Sequence, residues 1–225
     1  DVARVMGVEV SGEQHEKLVA VVFCQGDDEA AKFPGVYRGI EDCAAAIYSQ
    51  DVSKRCKYGC VGMGSCVKSC PFDAIHLSEG GIPYVDAEKC TACGNCVRAC
   101  PRDLIELHPV SHNSFVYCKS QDPGPVARKV CKKACIACKA CVKAAAKDEN
   151  EDAVTMHGNL AVVTPDPYAA KPEYGAKCPT DAYASGINSI RKAVVLGHAP
   201  EGGEPMSEVP VTSGGEKVDA GGDEA

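Results

Sequence analysis

The sequence predicts an α+β fold of two small tandem domains built around cysteines rather than around a large apolar core. Three observations point there. Sixteen of the 225 residues are cysteine, aromatic residues are 5% and tryptophan is absent, so bulky apolar material for a conventional core is scarce. Most of the cysteines fall in short ordered runs, two of them closed by Cys-Pro. The second half of the chain also repeats the first.

Residues 1–55 read as an N-terminal strand and helix segment. LVAVVFC (18–24) is an apolar strand ending in Cys24, and Ile40 to Tyr48 reads as a helix begun near Gly39 and Glu41. Residues 56–113 form the first domain. Its stronger run is CTACGNCVRACP, with Cys90, Cys93, Cys96 and Cys100 in the spacing C-x2-C-x2-C-x3-C-P. Three thiolates at every third position turn inward around a compact cubane, and Ala92 and Gly94 let the loop wrap it. In bacterial two-cluster ferredoxins the fourth cysteine of such a run ligates the other cluster, so the run demands a partner.

The partner lies upstream in CKYGCVGMGSCVKSCP, with Cys56, Cys60, Cys66 and Cys70. Its Cys-x3-Cys-Pro end matches, and its earlier spacings are stretched. Exchange of the last cysteines gives two [4Fe-4S] sets: Cys56, Cys60, Cys66 and Cys100 for cluster I, and Cys90, Cys93, Cys96 and Cys70 for cluster II. Ala74–Leu77 and Ile82–Val85 form a hairpin about Gly80-Gly81, and Leu104–Leu107 adds a strand. A zinc site needs two ligand pairs closing one tetrahedron, which runs of four closed by proline do not suit. Disulfides between residues three apart are strained.

Residues 114–185 form the second domain. Cys135, Cys138 and Cys141 give another three-ligand run, CIACKAC, but Ala145-Ala146 stand where Cys-Pro should follow. NLAVV (159–163) falls on GIPYV (81–85) with an offset of 78, and the same offset places Cys178-Pro179 on Cys100-Pro101. It also places Tyr168, Lys171 and Tyr174 on Cys90, Cys93 and Cys96. One complete set, Cys135, Cys138, Cys141 and Cys178, is kept, and one complete set is lost. The expectation is therefore three [4Fe-4S] clusters in this chain, with Tyr168 and Tyr174 as candidate fillers of the vacated place. Fold class follows: α+β, tandem bacterial ferredoxin-like domains of the 2[4Fe-4S] type, with cluster-templated cores, short hairpins and helices.

Cys24, Cys43, Cys118 and Cys131 are left over. The strand cysteines Cys24 and Cys118 sit alike, at the ends of LVAVVFC and SFVYC; buried structural thiols are the default for them. A Cys118–Cys131 disulfide is one alternative, although rare in a reducing cytosol. Cys131 as a ligand is another, because it stands four before Cys135 as Cys56 stands four before Cys60.

Residues 186–225 read as a helix over Ile187–Leu196 and then a disordered tail. From Glu201 onward seven acids face one lysine among many glycines. The tail carries most of the net charge of −7; the nearly neutral remainder argues against a nucleic-acid partner. No apolar run approaches the roughly 18 residues of a membrane span. The six histidines are scattered, Gly62-x-Gly64 lacks the strand–helix setting of a dinucleotide fingerprint, and no catalytic nucleophile–base pair stands out. Lys54, Arg55, Lys57, Lys129, Lys132 and Lys133 are candidate docking charges for an acidic donor, against the alternative of solvated surface charge.

The segments MGVEV, VFCQGD, YRGIEDCAAA, CKYGCVGMGSCVKSCPFDAI, KCTACGNCVRACPRDLIEL and RKVCKKACIACKACVK together resemble the B subunit of the Rnf complex, the membrane-bound ferredoxin:NAD+ oxidoreductase. The resemblance covers about residues 5 to 183. It implies an electron-transfer iron–sulfur subunit that accepts electrons from reduced ferredoxin and relays them toward the other subunits of a membrane redox complex, with ion transport coupled and the NAD site on another chain. It implies a place on the cytoplasmic side of the inner membrane, with a membrane helix and a further cluster domain upstream of Asp1. The alternative is a polyferredoxin subunit of another redox complex, of hydrogenase or heterodisulfide reductase type. Ala145, Tyr168, Lys171 and Tyr174 interrupt the complete second ferredoxin that the family often carries.

Overall fold

The computed structural model describes residues 16–31, 35, 37–49 and 54–186. All fall within one unit spanning Asp1–Ile190. The expected helix over 187–196 and the acidic tail lie outside the described residues.

The repeat read from the sequence is present in the strand pairing. Strand β1 (Leu18–Val22) pairs antiparallel with β4 (Ile105–Pro109), and β5 (Ser114–Val116) pairs in the same sense with β8 (Tyr183–Ser185). Each pairing continues by one bond past the strand, from the Phe23 N–H to the Leu104 carbonyl and from the Tyr117 N–H to the Ala182 carbonyl, both 2.7 Å. Leu104 and Ala182 are related by the 78-residue offset. The hairpins correspond too: β2 (Ile75–Leu77) with β3 (Pro83–Val85), and β6 (Val154–His157) with β7 (Leu160–Val163). The second hairpin closes in two residues, with Gly158 at φ +62° in the first central position, as a type II′ turn requires.

The first core gathers Val19, Ala20 and Val22 of β1 with Ile75, Val85 and Ile105. The second gathers Val116, Val154, Leu160, Val163, Tyr174 and Tyr183. Between the halves, Val21 and Phe23 meet Phe115 and Tyr117, with the Phe23 and Phe115 rings edge to face at 5.7 Å. A second contact joins Ala31 to Cys131 in an isolated antiparallel bridge, reinforced by the Lys132 N–H donating to the Ala30 carbonyl at 2.8 Å.

Helix α1 is shorter than expected, Cys43–Tyr48. Asp42 is the reason. Its carboxylate accepts from the N–H groups of Ala44 and Ala45, each at 2.9 Å, which makes it the cap and starts the helix there. Three further helices each follow a cysteine loop: α2 (Ser65–Lys68), α3 (Asn95–Ala99) and, beyond α4 (Gly124–Val130), α5 (Ala140–Lys147). Helices α2 and α3 stop before Cys70-Pro71 and Cys100-Pro101, where a proline prevents continuation. With Ala145-Ala146 in that place, α5 runs through to Lys147.

Candidate functional site

The three cysteine loops share one backbone conformation. Positive φ occurs at Gly62 and Gly64, at Ala92 and Gly94, and at Ala137 and Lys139. The second member of each pair caps the helix that follows. Left-handed backbone costs a non-glycine residue about 1–2 kcal/mol, yet Ala92, Ala137 and Lys139 adopt it. After each Cys-Pro the same turn recurs, with Asp73, Asp103 and Asp181 at φ +51°, +50° and +49°.

This superposition aligns Cys60 with Cys90 and Cys135, and Cys66 with Cys96 and Cys141. It places Met63 where Cys93 and Cys138 stand. The stretched first run thus follows the loop of the other two, with methionine in the place of the middle cysteine.

The cavity beside this loop is lined by Cys43, Cys60, Cys66 and Cys100. Cys56, expected there, lines a different cavity with Cys24, Cys118 and Cys131. Cys43 stands at this cavity through the cap of α1. The Cys43 N–H donates to Ser65 Oγ at 2.8 Å, and Ser65 Oγ donates to Asp42 at 2.9 Å. That chain ties the first residue of α1 to the residue just before Cys66. Burial pushes the Cys66 thiol up to about 12, with the nearby sulfurs of Cys43, Cys100 and Cys96 acting in the same direction.

The cavity expected for cluster II is lined by Cys70, Cys90, Cys93 and Cys96 together with Ala92 and Gly94. Burial and the sulfurs of Cys90 and Cys70 raise the Cys96 thiol. In the second half the structure brings Cys135, Cys138, Cys141 and Cys178 together. Burial raises Cys141 to about 11, and the sulfurs of Cys135, Cys178 and Cys138 add to it. Cys178 keeps the turn of Cys100: the Asp181 N–H points to the Cys178 carbonyl at 3.4 Å as the Asp103 N–H points to the Cys100 carbonyl at 3.3 Å.

All sixteen cysteines are free thiols, so Cys118 and Cys131 form no disulfide. Among the described residues no three ligating side chains converge on a single ion; sulfurs set around a cube several ångströms wide stand too far apart for that. The donor chemistry fits [4Fe-4S] clusters. Both cavities of the first half are lined by four cysteines, small residues border the loops, and the Leu104 N–H points at Cys100 Sγ at 3.4 Å, the type of bond that tunes a cluster. Grouped buried thiols resist ionising, so cationic iron must displace their protons.

The positions that the repeat relates to Cys70, Cys90, Cys93 and Cys96 are packed by other side chains. Tyr174, 3% exposed, packs with Ala145, 0% exposed, in the second core. Its hydroxyl donates to Asp148 at 2.9 Å and accepts from Asn150 Nδ2 at 3.2 Å, and Lys171 pairs with the same Asp148. Tyr168 works at the edge. Its ring stacks on His112 at 4.0 Å, and its hydroxyl accepts from the N–H groups of Asn113 and Ser114 at the start of β5, at 3.0 and 2.6 Å. Of the candidate docking charges, Lys54 is 3% exposed and donates to the Gly26 carbonyl, so it is no surface charge. Lys57 and Lys133 are engaged with Asp122 and Asp181.

Loops of this conformation, each carrying spaced cysteines, define an iron–sulfur protein of the two-cluster ferredoxin class; the family profile described as "4Fe-4S dicluster domain" matches residues 55–104. Three relatives narrow the class. The chain is 42% identical over 186 residues to the B subunit of the Na(+)-translocating ferredoxin:NAD(+) oxidoreductase complex of Acetobacterium woodii, covering 83% of this chain and 54% of the relative. It is 43% identical over 169 residues to the B subunit of the proton-translocating ferredoxin:NAD(+) oxidoreductase complex of Clostridium ljungdahlii, covering 74% and 58%. It is 42% identical over 142 residues to the B subunit of the ion-translocating oxidoreductase complex of Methanosarcina acetivorans, covering 63% and 53%. Over these residues the chain is similar to the B subunits of these three complexes. The chain spans about half the length of these relatives.

Proposed function

We propose that this chain is an iron–sulfur electron-transfer subunit of a membrane-bound, ion-translocating ferredoxin:NAD+ oxidoreductase. It accepts electrons from reduced ferredoxin and relays them through [4Fe-4S] clusters to other subunits, with NAD+ reduced on another chain. It works at the cytoplasmic face of the inner membrane; among the described residues no helix is long and apolar enough to cross a membrane. The observation that carries this reading is the recurrence of one loop conformation at three cysteine runs, on a chain that matches the B subunits of three such complexes.

We assign Cys70, Cys90, Cys93 and Cys96 to one cluster and Cys135, Cys138, Cys141 and Cys178 to another. A further cluster takes Cys60, Cys66 and Cys100, with Cys43 in place of Cys56. When bound, the clusters supply one-electron chemistry; the chain's residues fix their spacing, exclude water and direct N–H groups at sulfur.

The test is reduction of the anaerobically reconstituted chain by pre-reduced ferredoxin in a stopped-flow cell. Rapid bleaching of the cluster absorption, with no direct reduction by NADH, is expected. Bleaching by NADH alone, or none by ferredoxin, overturns the assignment.

A further inference from the structure

We propose that Cys24, Cys56, Cys118 and Cys131 hold a fourth [4Fe-4S] cluster that bridges the two halves of the chain. The proposal rests on the iron–sulfur reading above and adds a site to it. Cys24 and Cys56 come from the first half and Cys118 and Cys131 from the second. They are equivalent pairs in the repeat. Cys24 stands two residues after β1 and Cys118 two after β5; Cys56 and Cys131 each stand four before the first cysteine of a run. The site is therefore built about the pseudo-symmetry of the repeat, two ligands from each copy.

The four cysteines line one cavity, as four cysteines line each of the two cavities of the first half. Cys24, Cys56 and Cys131 are 7%, 8% and 7% exposed. Gly26 keeps the wall thin: a Cβ there would stand 3.2 Å from Cys131 Sγ and 3.8 Å from Cys24 Sγ. The inter-half bridge at Ala31 and Cys131 closes the floor.

Two of the sulfurs also meet backbone N–H groups, as cluster thiolates do. Cys24 Sγ accepts from the Cys60 N–H at 3.3 Å and Cys118 Sγ from the Ser120 N–H at 3.4 Å. The backbone of Cys135 lies near Cys118, that of Tyr58 and Gly59 near Cys56, and that of Lys133 near Cys131. Positive charge stands close by. Lys54 is buried beside Cys60 and Cys131, and the Arg102 guanidinium, near Cys56, Cys60 and Cys24, donates to the Cys56 carbonyl at 2.9 Å. A dianionic cluster needs such neighbours to be stable out of water.

The position has a consequence for transfer. The backbone N–H of Cys60, a ligand of one neighbouring set, bonds Cys24, and Cys135, a ligand of the other, lies beside Cys118. One electron can then step between the halves through this site, with the donor set oxidised by one and the acceptor set reduced by one and no bond made or broken. With it, the sixteen cysteines divide into four complete sets.

The experiment is cluster counting on the full chain, reconstituted anaerobically with ferrous iron and sulfide. Native mass spectrometry of the unsubstituted protein should show four cubanes, and iron analysis about sixteen iron per chain. Cys24→Ala, Cys118→Ala and Cys131→Ala should each lose about four iron and keep the spectroscopic signals of the other sets. Three cubanes and about twelve iron in the parent chain, unchanged in those variants, overturns the bridging site. If a variant loses more because it misfolds, the parent mass count decides alone. A parent chain without cluster iron overturns the bridging site and the electron-transfer reading together; three cubanes overturns only the former.

Discussion

Tyr174 stands where the repeat places Cys96, and its replacement tests the proposal that packing there took over a cluster's structural role. The ring is buried against Ala145 and Cys141, with the hydroxyl held by Asp148 and Asn150. Truncation to alanine removes a large aromatic group from a core that cannot collapse onto a helix already carrying alanine at 145. The expected cost is about 3–5 kcal/mol. For a chain of this size that lowers the thermal midpoint by roughly 6–20 °C, at about 2–4 °C per kcal/mol. Tyr174→Phe keeps the ring and loses two hydrogen bonds at a partly open rim, so it should cost about 1 kcal/mol. The assay is thermal unfolding of the cluster-loaded chain by circular dichroism, with iron measured before heating. Both variants should start with the iron content of the parent, because no cysteine is touched. If Tyr174→Ala costs no more than Tyr174→Phe, the ring is not the filler and packing has not replaced the lost cluster.

Three further outcomes are expected. Lys139→Gly should relieve the left-handed backbone at φ +59° and stabilise the loaded chain by about 0.5–1 kcal/mol after the entropy cost of glycine; Lys139→Val should do the reverse, and equal denaturation midpoints for the three proteins would refute the strain. The hydrogen bond from His108, with the Lys119 ammonium beside it, holds the Glu106 carboxyl down at about 2. A carboxyl lowered in the folded state stabilises above the ordinary carboxylate pKa, and this is lost as pH falls toward about 2. Glu106 is 43% exposed, so the effect should stay below about 1 kcal/mol. Glu106→Gln should therefore be less stable than the parent near neutral pH, and the gap should narrow as pH falls below about 4.5; a gap that stays constant with pH refutes the ion-pair account. Chelation of iron should unfold both halves, read as loss of far-ultraviolet dichroism, because grouped buried thiols have no other means of holding the loops; retained dichroism would show that the cores stand without metal.

The loops are legible in the sequence because cluster ligation is a local constraint. Thiolates three apart, small residues between them and a closing proline leave few other readings, and the 78-residue offset carries Cys178 to its partners from 37 residues beyond Cys141. Cys43 is not legible in the same way. The five-residue gap between Cys60 and Cys66 hides a methionine in a ligand's place, and only the matching positive φ at Gly62 and Gly64 makes that visible. Cys43, the ligand proposed in its place, is tied to that loop by a hydrogen bond across 22 residues, Cys43 to Ser65, and such tertiary contacts leave no periodic trace. Proximity in sequence assigns Cys56 to Cys60, although its place is in the cavity shared with Cys118 and Cys131 of the other half. The pairing of β1 with β4 joins residues 18–22 to 105–109, a non-local match that alternation alone cannot specify.

On the proposed assignment, the set missing from the second half is the one whose absence does least harm to transfer. With four sets in place, contacts order them along a line. Cys66 neighbours Cys96, Cys60 neighbours Cys24, and Cys118 neighbours Cys135. The ends carry the exposed cysteines, Cys93 at one and Cys138 at the other. The vacated place, filled by Tyr174 and Ala145, corresponds in the repeat to the outermost set of the first half, Cys70, Cys90, Cys93 and Cys96. Its loss shortens the line by a terminal member and leaves the rest connected, whereas losing Cys135, Cys138, Cys141 and Cys178 would have stranded any cluster retained beyond them. The same reasoning ranks substitutions. Cys90→Ala or Cys178→Ala removes an end set, so the remaining sets should still exchange electrons with one another. Cys60→Ala removes an inner one and should leave two populations that reduce independently. Freeze-quench EPR during reduction separates these cases, and a Cys60→Ala protein whose end clusters still equilibrate on the parent's timescale would overturn the order.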